Sequence, residues 1–117
     1  DVKKEDKVGY GGTPMPSAGN LCVLSIGYGD GLSTSLSGVA CKVNEIPCQI
    51  VARVNMDMLQ ILFAENGNCS IKKGQMVRLW SRGSDEYLNI CDQSGQIPYE
   101  TFCHLSQRVK RVYYKNN

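Results

Sequence analysis

The stretch NLCVLSIGYGDG, residues 20–31, joins an apolar run to a glycine-rich turn. Residues 20–28 are apolar and bounded by turn formers, which predicts a buried β-strand. Asp30-Gly31 is a strong turn signal that ends this strand. Because glycine has no Cβ and permits positive φ, the backbone of the turn can approach a ligand closely. The stretch therefore predicts a strand that leads into a candidate binding turn.

Two other short runs have the same character. The run VGYGGT, residues 8–13, places a tyrosine among glycines. The run RVNMD, residues 53–57, ends an apolar strand with polar residues. We therefore expect the functional groups of this chain to lie on these three runs.

Further apolar segments predict more strands at regular spacing, which is typical of a small barrel or sandwich. They are residues 39–43, 46–54, 58–63, 76–80 and 108–114, with loops at 44–45 and 65–68. Pro47 lacks the N–H that a central ladder needs, so its end of the strand should lie at an edge or a bulge.

Two short helices interrupt the strand pattern. Residues 85–94 follow Ser84, a good N-cap, and stop at Gly95. Residues 99–105 follow Pro98, which suits the first position of a helix. The sequence thus predicts a mainly β, small β-barrel-like domain with one or two short helices.

Length, charge and cysteine pattern limit the class of protein. The 117 residues suffice for one domain, and the net charge of +2, from scattered basic residues, does not indicate a nucleic-acid partner. No apolar run approaches the ~20 residues of a membrane helix. The six cysteines and the single histidine lack zinc-ligand spacing, so we expect unpaired thiols in a cytoplasmic protein. The charged start, without Met or a signal-peptide core, is what we expect of an excised or processed piece.

Five runs, taken in order, resemble the C-terminal domain of the pyridoxal-phosphate alanine racemases. They are residues 8–11, 26–31, 47–57, 99–100 and 108–113. The step of 28 residues from Tyr28 to Met56 also fits that family. The resemblance implies that residues 1–117 are the second, mostly β domain of such an enzyme, and that its N-terminal (β/α)₈ barrel is absent here.

The resemblance also implies a reaction, the inversion of an amino acid at Cα with pyridoxal 5'-phosphate on a barrel lysine as electron sink. Two acid/base groups must act on opposite faces of that carbon. One is the cofactor lysine, and the resemblance places the other at Tyr10, acting in the partner's site of a head-to-tail homodimer. A phenol ordinarily has a pKa near ~10, so a tyrosine base needs a nearby cation. This chain offers no obvious one beside Tyr10, and we expect it to come from the barrel.

The other site residues implied by the resemblance are Met56, Tyr28 and Tyr99. The backbone N–H of Met56 would meet the substrate carboxylate, Tyr28 would line the entrance, and Tyr99, near a helix start that favours anions, would touch the cofactor phosphate. On the residues alone, these three and Tyr10 could instead be packed or surface side chains. We expect Asp57 to cap the turn or orient Met56, and no metal is implied.

Two other functions stay open. One is a serine, or serine/alanine, racemase of the same fold, although Tyr99, where related serine enzymes have a smaller polar residue, favours alanine. The other is a non-catalytic β-barrel binding module, which a cofactor-lysine barrel encoded directly upstream would exclude. We expect the isolated domain to be inactive. Its expected partners in the full-length enzyme are a small amino-acid substrate and a second copy, with neither nucleic acid nor a membrane.

Overall fold

The chain folds into a four-stranded antiparallel sheet, a two-stranded sheet and two helices. The structure is a computed structural model that describes residues 1–64, 71–80 and 85–115. The elements are β1 (Lys7–Val8), β2 (Thr13–Pro14), β3 (Gly19–Leu24), β4 (Ala40–Val43), β5 (Ile46–Val51), β6 (Leu59–Ala64), α1 (Asp85–Ser94) and α2 (Pro98–His104). The predicted mainly β fold with short helices is confirmed. Within the described residues the large sheet, in the order β3-β6-β5-β4, is open.

Strand β6 is the centre of the fold, because both of its faces are buried. Its sequence LQILFA is a nearly continuous apolar run, typical of a strand that is covered on two sides. Leu59, Ile61 and Phe63 join the main core with residues from β3, β4, β5 and α1. Leu62 instead packs with Met15 in a smaller cluster beneath the N-terminal segment. Since alternate residues of a strand point to opposite faces, one strand anchors both clusters.

The β4–β5 hairpin turns at residues 44–45, as predicted. Asn44 and Glu45 have φ values of 51° and 69°, the left-handed two-residue loop whose twist matches that of the flanking strands. Strand β6 pairs with residues 49–51 of β5. Pro47 therefore lies in the part of β5 that β6 does not reach, which confirms its expected edge position.

Strands β3 and β5 end earlier than predicted, because the segments that follow them turn toward the same region of the molecule. After Leu24 the chain enters a 3₁₀ turn at Tyr28–Asp30 instead of continuing as a strand. After Val51 it turns at Ala52, whose φ of 59° is rare for a residue with a Cβ. The two strand ends bring the glycine-rich turn and residues 53–57 together.

Two predicted strands are wrong: in the described part of the chain, residues 76–80 and 108–114 pair with no strand. The backbone of Arg78 is bound to a turn rather than to a ladder. It accepts from the Asn44 N–H at 3.1 Å, and its own N–H donates to Asn44 Oδ1 at 2.7 Å. In the second segment the Arg111 side chain donates to three backbone carbonyls, which curls the chain back on itself. Those carbonyls belong to Leu105, Ser106 and Val109.

The two predicted helices are confirmed with small changes of boundary. Gly95, with φ of 72°, ends α1, and Pro98 occupies the first turn of α2. The Tyr87 hydroxyl donates to the Pro98 carbonyl at 2.8 Å, and its ring contacts Phe102 at a centroid distance of 5.1 Å. These contacts fix the angle between the helices. The predicted loop at 65–68 and the predicted cap Ser84 lie outside the described residues.

Cysteines 41 and 48 face each other across the β4–β5 hairpin, with their Sγ atoms 3.4 Å apart. A hydrogen bond from Cys48 lowers the pKa of Cys41, and the same bond together with burial raises the pKa of Cys48. Cys41, Cys48, Cys91 and Cys103 form no disulfide in the structure. Cys69 lies outside the described residues, so six unpaired thiols stay a prediction.

Alkaline pH should weaken the domain through Tyr87. Desolvation, followed by interaction with Cys91, raises the pKa of Tyr87 to about 12. The unfolded value is near ~10, so its contribution to stability is full below pH ~10 and is lost as the pH rises toward about 12. Tyr87→Phe should lower the free energy of unfolding at pH 8 by about 1 kcal/mol, through the lost hydrogen bond, and flatten the decline above pH ~10.

Urea unfolding at a series of pH values measures this decline. Tyr113→Phe is the matched control, since Tyr113 is 89% exposed. It should keep the steep alkaline loss of the original protein. Equal slopes for the two variants above pH ~10 would contradict the role of Tyr87.

Candidate functional site

A cleft of about 600 Å³ lies where the three glycine-rich or polar runs meet. The residues lining it are Tyr10, Tyr28, Thr34, Ser37, Arg53, Val54, Asn55 and Met56. Three of the four residues singled out from the sequence, Tyr10, Tyr28 and Met56, are therefore brought together. The described lining holds one cation and no acidic side chain, which suits an anionic ligand group.

The glycine-rich turn and the polar run are joined by two backbone hydrogen bonds. The Tyr28 N–H donates to the Asn55 carbonyl at 2.9 Å, and the Gly29 N–H donates to the Met56 carbonyl at 2.8 Å. A Cβ on Gly27 would overlap the Asn55 carbonyl, although the φ of Gly27 is an ordinary extended value. The close approach of two backbones, rather than an unusual φ, is what requires glycine at this position.

Tyr10 lies on the loop between β1 and β2, and the residue is 76% exposed. The loop is seated on the end of β5: a Cβ on Gly9 would lie 3.0 Å from the Ala52 Cβ. Both residues have positive φ, so neither backbone is in a relaxed strand conformation. This contact places Tyr10 at the mouth of the cleft.

Arg53 is the site residue that the sequence analysis missed. A Cβ on Gly11 would lie 3.8 Å from the Arg53 guanidinium carbon, so this cation lies against the residue next to Tyr10. The chain thus supplies a cation to the cleft, while the cation expected beside Tyr10 from the barrel stays a prediction. Arg53 begins the run 53–57, but it is far from Tyr10 along the chain. Its proximity to the Tyr10 loop could therefore not be inferred from the sequence.

Met56 occupies a tight turn opposite Tyr28, with its side chain 51% exposed. The turn is closed by the Asn55 N–H, which donates to the Met58 carbonyl at 2.9 Å. Among the described residues the backbone N–H of Met56 has no hydrogen-bond partner. A backbone donor beside a cleft can bind an anion, which is the use that the resemblance implied for it.

Arg108 joins two carboxylates from different turns. Its Nη2 lies 2.5 Å from Asp57 Oδ1, and its Nε lies 3.4 Å from Asp30 Oδ1. The hydrogen bond to Asp57, followed by the charge of Asp30, raises the pKa of Arg108. The Arg108–Asp57 pair is exposed, and solvent screens the attraction of such pairs, so it adds little to the stability of the fold. Its main effect is therefore on geometry rather than on stability.

Asp30 is held more firmly than its partner in this network. It is 9% exposed, and its Oδ2 accepts the Gly27 N–H at 2.9 Å. Its carbonyl accepts the Ser106 N–H at 3.0 Å, which ties the glycine-rich turn to the segment after α2. The carboxylate is thus a fixed anchor for the arginine.

Tyr99 does not line the cleft. It lies in the first turn of α2 and is 80% exposed. Its predicted contact with a cofactor phosphate stays a prediction. Within the described ranges, no cluster of His, Cys, Asp or Glu could hold a metal ion, and no helix is long and apolar enough to span a membrane.

Comparison with known proteins identifies similar sequences along nearly the whole chain. The family model described as "Alanine racemase, C-terminal domain" matches residues 1–113. The alanine racemase of Coxiella burnetii (strain CbuG_Q212) is 36% identical over 112 residues, which are 94% of this chain and 30% of that protein. The chain therefore spans only about 30% of the length of such a relative.

Solved structures of racemases contain the same fold. The alanine racemase of Clostridium difficile 630 in complex with cycloserine has a TM-score of 0.81 and 27% identity, covering 99% of this chain and 31% of that one. The Bartonella henselae alanine racemase with covalently bound pyridoxal phosphate has a TM-score of 0.78 and 25% identity, with 97% and 32% coverage. A histidine racemase from Leuconostoc mesenteroides subsp. sake has a TM-score of 0.78 and 26% identity, with 97% and 31% coverage.

The backbone contact at Gly27 gives a prediction about stability. Gly27→Ala should lower the free energy of unfolding by about 3 kcal/mol, since the added methyl group must displace the Asn55 carbonyl. Gly38→Ala is the control, because Gly38 has φ of 89° and open space around it. It should cost only about 1 kcal/mol. Denaturant unfolding compares the two, and an equal or smaller loss at Gly27 would contradict the contact.

Proposed function

The chain belongs to the alanine racemase C-terminal domain family, and we propose that residues 1–117 are the C-terminal domain of a pyridoxal-phosphate-dependent alanine racemase. The full-length enzyme would interconvert L- and D-alanine. The observation that carries the proposal is the cleft, which brings Tyr10, Tyr28 and Met56 together from runs that are far apart in the sequence.

Tyr10 would be the acid/base group for one face of the substrate. Its phenol is exposed at the mouth of the cleft, so it is available to a site that a second subunit completes. In a head-to-tail homodimer it would act in the partner's active site. Arg53, which lines the same cleft, would attract the carboxylate of an incoming amino acid.

Met56 and Tyr28 would bind and admit the substrate. The backbone N–H of Met56, which has no partner within the described residues, would donate to the substrate carboxylate. Tyr28 lines the same cleft and would narrow its entrance. Neither group needs to gain or lose a proton, so both roles are binding roles.

Pyridoxal 5'-phosphate would be bound through a lysine of an N-terminal barrel. The Tyr99 hydroxyl of this chain would contact the phosphate of the cofactor. The phenol of Tyr99 is exposed near the start of α2, where backbone N–H groups also favour anions. When bound, the cofactor supplies the electron sink for the charge left at Cα. The part of this chain is to hold a proton at Tyr10 and a carboxylate at Met56.

A second candidate is racemisation of another amino acid, serine in particular. The fold does not select the side chain of the substrate, because the solved histidine racemase shares it. Tyr99 favours alanine over serine. A binding module without chemistry is the weaker alternative, because the proteins that match along nearly the whole chain are racemases.

The isolated chain should bind no pyridoxal phosphate and racemise nothing. No lysine is among the residues that line the cleft within the described ranges. Titration of the purified chain with the cofactor near neutral pH should show no absorbance band of a lysine adduct, whereas the full-length enzyme should show one. A stoichiometric, borohydride-trappable adduct on a single lysine of this chain would refute the prediction.

Tyr10→Phe in the full-length enzyme should act asymmetrically on the two enantiomers. The ring is kept and only the acid/base group is lost, which typically costs about 10² to 10⁴ in rate. Exchange of the Cα hydrogen with solvent deuterium should persist for one enantiomer and nearly vanish for the other. Cofactor absorbance should be unchanged.

Tyr113→Phe is the matched control for this experiment, since it removes a hydroxyl from an exposed tyrosine outside the cleft lining. It should racemise both enantiomers normally. If Tyr10→Phe also racemises both within a few-fold of the original enzyme, Tyr10 is not the acid/base group.

A further inference from the structure

We propose that Arg108 is a positioning residue for substrate binding: it bridges Asp30 and Asp57 and so holds the backbone N–H of Met56 in the orientation that binds the substrate carboxylate. This inference rests on the proposed function, since it assigns a task to a residue that acts through Met56. Arg108 itself is not among the residues lining the cleft.

The first step of the argument is the path of the two peptide groups around Met56. The Asn55 carbonyl accepts from Tyr28, and the Met56 carbonyl accepts from Gly29. In a trans peptide the C=O and the following N–H point in opposite directions. The N–H of Met56 therefore points away from the Tyr28 backbone, and its direction depends on the glycine-rich turn staying in place.

The second step is the attachment of that turn to Asp57. Asp30 is a fixed anchor, because it is nearly buried and its Oδ2 accepts the Gly27 N–H. Asp57 has an exposed side chain that nothing else described here restrains. The guanidinium of Arg108 contacts both carboxylates. It therefore fixes Asp57, the residue after Met56, relative to the glycine-rich turn that contains Asp30.

The third step is the fit of the guanidinium to its surroundings. Arg108 Nη1 lies so close to Gly29 that a Cβ on this residue would overlap it. The glycine that donates to Met56 thus also makes room for the arginine. A lysine would place a single ammonium where the arginine presents a planar fork, and could contact one carboxylate but not span two.

The experiment uses the full-length enzyme and steady-state kinetics with L- and D-alanine. Arg108→Met should raise KM about tenfold while kcat changes by less than about threefold, because the lost interaction serves ground-state and transition-state binding alike. Asp57→Asn should raise KM by a similar factor. The double variant should be little worse than either single variant, since both remove one bridge. Lys110→Met removes a positive charge from the same exposed segment and should leave KM and kcat unchanged.

Arg108→Lys keeps the charge and guards against a folding defect in Arg108→Met. It should give an intermediate KM, with the circular dichroism and melting temperature of the original enzyme. A KM for Arg108→Met within about twofold of the original would overturn the inference. An increase in KM of the double variant that equals the product of the two single-variant increases would also overturn it. If Arg108→Met does not fold, the same limits apply to Arg108→Lys and Asp57→Asn.

The two proposals fail in different ways. If the full-length enzyme racemises alanine and Tyr10→Phe abolishes this, but the Arg108 and Asp57 variants keep their KM, only the positioning role is overturned. If the original enzyme racemises no alanine, the proposed function fails, and the role of Arg108 in substrate binding fails with it.

Discussion

The site depends on one close contact between two backbones, that of the glycine-rich turn with residues 55–56. Two N–H groups of the turn donate to two successive carbonyls, which is possible only if the chains approach without a Cβ between them. Glycine at 27 and 29 meets this requirement sterically. The phenol of Tyr28, the backbone of Met56 and the guanidinium of Arg108 all take their positions from this contact.

The sheet makes the contact possible by where its strands stop. Strand β3 ends at Leu24 and β5 at Val51, although both runs are apolar enough to continue. The left-handed backbone at Ala52 turns the second chain toward the first, and the Gly9 loop packs on that turn. Ala52 is buried in the smaller apolar cluster, and this packing holds its backbone at the unusual φ. The cleft thus lies at the end of the sheet where the pairing of β3 and β5 with β6 stops.

Most of the sheet was readable from the sequence, because its signals are local. The asparagine-glutamate turn at 44–45, the proline at the unpaired end of β5 and the apolar run of β6 each predict their own conformation. The two wrong strands, 76–80 and 108–114, have suitable side chains but no partner strand in the described part of the chain. Side-chain pattern reports the propensity of a segment, whereas a strand also needs a neighbour.

The site residues followed the same rule. Tyr10, Tyr28 and Met56 stand beside glycines or at strand ends, which are local signals. Arg53 lies in the run 53–57 and Arg108 in a segment predicted as a strand, but neither segment indicates whether the charge is solvated or bound to a partner. Their partners, Gly11 for the first and Asp30 and Asp57 for the second, are distant in sequence, so only the fold reveals them.

The strand order β3-β6-β5-β4 also has a kinetic consequence. The β4–β5 hairpin closes over two residues, but β3 must wait for β6, the last strand of the sheet, before it can form its ladder. Closing that long loop costs chain entropy before any contact compensates for it, and folding slows as such non-local pairings accumulate. During synthesis β3 therefore leaves the ribosome with an unpaired edge, and its apolar face needs protection until β6 follows.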